Sequence, residues 1–245
     1  DIQPFFCDLD ADGDYDLVAG NSEGGPLSLH FYVNRGTARN PNLVFYTDTI
    51  AMNNYFVIIT PSLADIDGDG DLDLFIIDDW GDVYFYLNTG TPQRPRFQFV
   101  TNNWLNINVS DHRYLRFFDI DGDGDLDLFL DSYPNGNWGL GNLYYSENIG
   151  TPHNAQMIQR TNQYLPTGAS HATAWFCDID NDGLTDLFVG ELWGSILYFH
   201  GTNSQTAGNK SQTIISLMTE PQLTIGPNPA NPSANICFQL PSAKN

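Results

Sequence analysis

The chain has 245 residues, enough for one large all-β domain or two smaller domains, and its 41% hydrophobic and 13% aromatic content supplies a packed core and argues against disorder. The formal net charge is −21, yet 19 of the 30 acidic residues lie in four short loops, and the remaining 11 are nearly balanced by nine basic residues. Carboxylates concentrated in this way call for cations and exclude a nucleic-acid partner, whose phosphates need a basic patch; no apolar run is long enough for a membrane span.

In chain order the first acidic segment reads DLDADGDYDLVAG from Asp8. The others are DIDGDGDLDLFII from Asp65, DIDGDGDLDLFLD from Asp119 and DIDNDGLTDLFVG from Asp178, with starts 57, 54 and 59 residues apart. A short apolar or aromatic run precedes each: Pro4-Phe5-Phe6, Pro61-Ser62-Leu63, Leu115-Arg116-Phe117 and Ala174-Trp175-Phe176. Each is followed by a Gly-containing turn and an aromatic stretch such as VYFYLN or LYYSEN. A Thr-marked turn comes next, in NRGTARNP from Asn34, NTGTPQRP from Asn88, NIGTPHNA from Asn148 and the divergent HGTNSQTA from His200. A last apolar run (LVFYT, RFQFV, AQMIQ, TIISL) closes the unit. Segments of this length, rich in aromatic and β-branched residues and separated by Gly, Asn, Asp and Pro, are strands and turns, and helical spacing is absent.

Each unit therefore supplies about four short strands. One small sheet cannot bury both faces, but several set radially about an axis can, so the expectation is an all-β propeller of four-stranded blades with four blades visible. A solenoid usually has shorter repeats.

The loops place carboxylates at positions 1, 3, 5 and 9 with Gly at position 6. Ca²⁺ takes six to eight oxygens at about 2.3–2.6 Å, and alternate residues of a curled loop can aim at one centre. Position 7 is Asp14, Asp71, Asp125 and Leu184. The leucine implies that this position contributes its backbone carbonyl, so the three aspartates there need not ligate through their side chains. An EF-hand would need Glu at position 12, which here is Ala19, Ile76, Leu130 and Val189. Mg²⁺ keeps its waters and rarely sits in an all-protein cage.

These loops, with the aromatic strand and N-x-G-T turn that follow, resemble the FG-GAP/VCBS repeat that builds the calcium-bearing propeller of integrin α subunits and of many bacterial surface proteins. The likeness covers about residues 1–218. It implies about four Ca²⁺ ions, with ligands Asp8, Asp10, Asp12 and Asp16; Asp65, Asp67, Asp69 and Asp73; Asp119, Asp121, Asp123 and Asp127; and Asp178, Asp180, Asp182 and Asp186. The family implies about seven blades. Asp1 is not an initiator Met and the chain opens just before a first strand, so a longer precursor with further blades is expected. Four blades of a larger ring would leave exposed sheet edges prone to aggregation.

From Leu223 the sequence LTIGPNPANPSANICFQLP resembles the opening of a type IX secretion C-terminal sorting domain. The expected division is thus 1–219 for the blades and 220–245 for the start of that domain or a linker. The implied setting is extracellular or on a bacterial cell surface.

Other chemistry is sparse. Cys7, Cys177 and Cys237 form no metal pattern and read as small buried strand residues. The five histidines share no repeat position, and Asp78-Asp79 and Asp111-His112 read as surface turns. Trp80-Gly81, Trp138-Gly139 and Trp193-Gly194 recur after second strands, where packing and a platform for sugar rings are both open readings. The expectation is a non-enzymatic binding or adhesion module for a glycan or extracellular protein. The alternative is the propeller part of an extracellular polysaccharide-degrading enzyme.

Overall fold

The computed structural model describes residues 3–21, 27–52, 59–78, 81–106, 114–131, 143–165, 173–190, 196–203, 213–217, 223–224 and 237–238. Blade 1 comprises β1 (Gln3–Cys7), β2 (Asp16–Asn21), β3 (Leu27–Asn34) and β4 (Leu43–Met52). Blade 2 comprises β5 (Ile59–Ala64), β6 (Asp73–Asp78), β7 (Val83–Asn88) and β8 (Phe97–Thr101). Blade 3 comprises β9 (Leu115–Phe118), β10 (Asp127–Asp131), β11 (Leu143–Asn148) and β12 (Met157–Thr161). Blade 4 comprises β13 (Thr173–Cys177), β14 (Asp186–Gly190), β15 (Ile196–Asn203) and β16 (Thr213–Leu217). Every sheet is an antiparallel meander of sequential strands, and together the four sheets make the expected propeller. A two-residue ladder follows, pairing β17 (Leu223–Thr224) with β18 (Cys237–Phe238). Among the described residues no helix is long and apolar enough to cross a membrane.

Successive blades are joined by apolar faces. Val18 and Phe31 of blade 1 meet Leu63, Leu74 and Ile76 of blade 2. Phe75 and Ile77 on the opposite face of blade 2 meet Leu128 and Leu130 of blade 3. Phe129 and Leu143 of blade 3 then meet Leu187 and Val189 of blade 4. This is the two-sided burial that a period-2 strand with both faces apolar demands. The blade 2–blade 3 interface has an additional aromatic plug. Trp104, in the short 3-10 turn Trp104–Asn106 after β8, packs edge-on to Phe75 at 4.7 Å between ring centroids.

The seam between blade 4 and blade 1 is different, because no core cluster joins these two blades among the described residues. Position 2 of the acidic loop reports this directly: Leu9, Ile66 and Ile120 are 3%, 7% and 8% exposed, whereas Ile179 is 41% exposed. Phe6 of β1, equivalent to the buried Leu63, is 49% exposed. Near the axis the inner strands are nevertheless tied together. The Arg116 guanidinium lies 5.2 Å from the Phe5 ring centre and 6.0 Å from that of Trp175. These cation–π contacts link blades 1, 3 and 4 through the same strand position.

Cys7 matches the expected role of a small buried strand residue, whereas Cys177, at the equivalent position of blade 4, is only half-buried; both are free. Burial, with the Asp16 and Asp8 charges adding, pushes the Cys7 thiol up to about 12. Asp78 corrects the sequence reading. It does sit at a turn, with Gly81 N–H donating to its carbonyl, but the residue is buried and its carboxylate accepts from Asp82 N–H at 3.0 Å. Asp79, Asp111, His112, Trp80, Trp138 and Trp193 lie outside the described residues.

Candidate metal centres

Each acidic loop connects the first strand of a blade to the second, and its curl is made by its own side chains. The position-1 carboxylate receives two backbone amides: Asp8 accepts from Asp12 and Gly13, Asp65 from Asp69 and Gly70, Asp119 from Asp123 and Gly124, Asp178 from Asp182 and Gly183, all at 2.9–3.2 Å. The position-5 carboxylate then accepts the amide of position 7, as Asp12 accepts from Asp14 and Asp182 from Leu184. Such a curl needs a left-handed residue at position 6, where Gly13, Gly70, Gly124 and Gly183 have φ of 86–94°. Glycine enters this region without the Cβ penalty.

Position 9 works differently. Asp16, Asp73, Asp127 and Asp186 are at most 1% exposed. One oxygen accepts the position-2 amide of Leu9, Ile66, Ile120 or Ile179. The other accepts from the end of the third strand, at Asn34, Asn88, Asn148 or Gly201, at 2.7–2.9 Å. Position 9 therefore clamps the loop to the sheet, a role that the spacing alone did not reveal.

The asparagines complete the linkage. Asn34, Asn88 and Asn148 each use Oδ1 to accept two amides of the following Thr-marked turn, those of Gly36 and Asn42, Gly90 and Arg96, and Gly150 and Gln156. The recurring N-x-G-T was the signal for this, although the sequence reading assigned it only to a turn. His153, in the blade 3 turn, lies 2.7 Å from the Asp67 carbonyl and so braces the loop of blade 2.

The carboxylates converge. Ligand atoms lie within 4.8 Å of one another in the sets Asp8, Asp10 and Asp16; Asp65, Asp67 and Asp69; Asp119, Asp121 and Asp123; and Asp178, Asp180 and Asp186. Twelve residues of the expected ligand set are thus brought together in threes. Asp12, Asp73 and Asp127 lie in the same loops but outside these tight sets, and Asp182 clusters instead with Asp180 and His200. Asp14, Asp71 and Asp125 join none of the sets.

Whether the donors fit a cation is decided by their unmet valence. Asp10 Oδ1, Asp14 Oδ1, Asp71 Oδ1 and Asp125 Oδ1 are buried without any protein hydrogen-bond partner. A buried carboxylate oxygen left unpaired is strongly unfavourable unless an ion satisfies it. The donors are hard oxygens, the chemistry that Ca²⁺ takes.

Electrostatics point the same way. Burial first, and the charges of Asp69, Asp67 and Asp65 second, push Asp71 up to about 6. Burial and the carboxylates of its own loop do the same to Asp125. Burial pushes Asp73 and Asp127 to about 7 despite the amides of Asn88 and Asn148, which pull down. The consequence for pH follows from linkage. These carboxylates bind protons more tightly folded than unfolded, so their stabilising protonation is complete below the unfolded value near 4 and is lost as pH rises through about 6–7. In EDTA the midpoint of thermal unfolding should rise as the pH is lowered from 7.5 to 5.5. With saturating Ca²⁺ the trend should reverse, because protons then compete with the ion. Thermal melts across this range with and without the ion check both signs.

Among known families, a model described as FG-GAP-like repeat matches residues 8–76 and 65–130, together about half of the chain. Each match runs from one acidic loop into the second strand of the next blade. No curated protein matches the chain.

Proposed function

The chain belongs to the FG-GAP-like repeat family, and on that premise we propose that it is a calcium-stabilised propeller that serves as a non-catalytic binding scaffold. The observation that carries this reading is the recurrence, in register, of four curled acidic loops, three of which hold buried carboxylate oxygens without a protein partner. About four Ca²⁺ ions would be held by the aspartates at positions 1, 3, 5 and 9, with the position-7 carbonyl as a further oxygen. Bound there, the ion supplies charge neutralisation and fixes the turn between the first two strands of each blade. The protein's own contribution is positional: backbone amides orient the position-1 and position-9 carboxylates before the ion arrives.

The blade loops then present a rigid surface to a glycan or an extracellular protein. We place the chain outside the cell or on a bacterial surface, where calcium is plentiful, and read residues 220–245 as the start of a type IX sorting domain after the blades of residues 1–219. The test is binding of the purified chain to a panel of polysaccharides in calcium and in EDTA. Calcium-dependent binding that is lost on Trp80→Ala or Trp138→Ala is the expected result for a glycan module. A folded, calcium-loaded chain that retains no polysaccharide contradicts the glycan reading and leaves a protein-directed scaffold.

A further inference from the structure

The second and third acidic loops are joined by a chain of contacts that crosses from blade 3 to blade 2. It begins at Asp127, where Oδ2 accepts the Ile120 amide of the third loop and Oδ1 accepts the Asn148 amide at 2.8 Å. Asn148 Oδ1 in turn holds the Gly150 and Gln156 amides on either side of the Thr-marked turn. Reciprocal backbone bonds between Thr151 and Asn154 close that turn around Pro152 and His153. His153 Nδ1 then lies 2.7 Å from the Asp67 carbonyl in the second loop. A carbonyl can only accept, so Nδ1 carries the proton and donates.

The fit at Gly68 shows that this contact is part of the fold. Position 4 of every loop is left-handed, at Ala11, Gly68, Gly122 and Asn181, with φ of 56–74°. Alanine and asparagine occupy it in the first and fourth loops, so the backbone alone does not demand glycine. At Gly68 a Cβ would stand 2.6 Å from His153 Nδ1 and 2.9 Å from the Pro152 carbonyl oxygen. At Gly122 it would meet nothing within 4 Å, so blade 4 makes no such approach to that residue of the third loop. Glycine at 68 makes room for the ring of the next blade.

We propose, on the reading of both loops as calcium sites, that His153 couples the sites of the second and third loops, so that filling one raises the affinity of the other. When the third loop is held, its anchor Asp127 fixes Asn148 and the turn. The turn then presses His153 against Asp67 and orders the second loop in advance. A loop already ordered loses less conformational freedom on binding. Linkage makes the effect reciprocal, by the same factor in both directions. Couplings between sites typically run from about 5-fold to 150-fold, and a single exposed contact places this one near the lower end, at about fivefold.

The test titrates the full, metal-stripped chain with Ca²⁺ while nuclear magnetic resonance follows two amides. Gly70 donates to Asp65 and reports the second loop; Gly124 donates to Asp119 and reports the third. Asp119→Ala should abolish the Gly124 response and weaken calcium binding at the second loop about fivefold. In a His153→Ala background, adding Asp119→Ala should leave the second-loop midpoint unchanged. His153 is exposed, so its removal spares the core, and comparison within that background cancels changes in long-range charge. Gly68→Ala, whose Cβ displaces the ring, should uncouple the sites in the same way. A second-loop midpoint that ignores Asp119→Ala, or a loss that persists in His153→Ala, overturns the proposal. If neither amide responds to calcium in the unsubstituted chain, the calcium reading itself fails, an outcome distinct from two responsive but independent sites.

Discussion

Removal of calcium with EDTA at neutral pH should lower the melting temperature by about 20 °C or more, or leave the chain unfolded at room temperature. Four or five aspartates stand within nine residues in every loop. Two such charges 4 Å apart repel by about 4 kcal/mol at the effective dielectric of a protein surface. Position-1 and position-9 oxygens are partly compensated by amides, but the partnerless oxygens of Asp10, Asp71 and Asp125 are not. An ion present at a hundredfold its dissociation constant stabilises by about 2.7 kcal/mol per site, hence about 11 kcal/mol for four. That is comparable with the whole stability of a typical domain, about 5–15 kcal/mol. A protein of this size shifts by roughly 2–4 °C per kcal/mol, which sets the scale of the expected drop. Circular-dichroism melts in EDTA, and after restoring Ca²⁺ or Mg²⁺, check it. Calcium should restore the transition and magnesium should not.

The second large effect is expected at Asp16. Its carboxylate accepts the Leu9 and Asn34 amides, each at 2.7 Å, and the residue is 0% exposed. Asp16→Ala leaves both buried amides unpaired, at about 1–3 kcal/mol each. A loss of about 2–6 kcal/mol should therefore appear in urea unfolding even at saturating calcium. Asp16→Asn keeps one acceptor oxygen and should lose about half as much. If Asp16 acted only as a metal ligand, the two substitutions would be equivalent and excess calcium would rescue both. Equal losses in Ala and Asn would therefore rule out the clamp.

Much of this architecture was legible because it is local and repeated. The DxDxDG spacing marks the curl, the Gly at position 6 marks its left-handed residue, and continuous apolar runs such as Leu74–Ile77 and Leu128–Leu130 mark strands that are buried on both faces. The N-x-G-T turns were equally plain, since Thr37, Thr91 and Thr151 each pair back to a residue three positions on. What escaped the sequence is what the fold brings together from afar. Asp73 was readable as a ligand, but its clamp on Asn88 spans 15 residues and depends on the register of β6 and β7. Trp104 carries no repeat signal and gains its place only when blade 3 packs over Phe75. His200 looked like one of five scattered histidines until β15 set it beside Asp180. Asp78 read as a surface turn because sequence shows the turn residues and not the amide that buries the carboxylate.

The same distinction explains the uneven donor sets. A strict repeat predicts four equivalent sites, yet position 7 is an aspartate in three loops and Leu184 in the fourth, and the neighbouring imidazoles differ too, with His153 against the Asp67 carbonyl and His200 against the Asp180 carboxylate. Composition locates the charge, but only the folded loops show which oxygens are already paired with amides and which still need an ion.

The most direct measurement is the calcium stoichiometry of the stripped, refolded chain, read by isothermal titration and by metal analysis after dialysis. About four Ca²⁺ per chain, reduced by one in Asp65→Ala and by one in Asp119→Ala, is the predicted result. A folded chain that binds no calcium, or whose stoichiometry ignores both substitutions, would contradict the assignment of these loops as calcium sites.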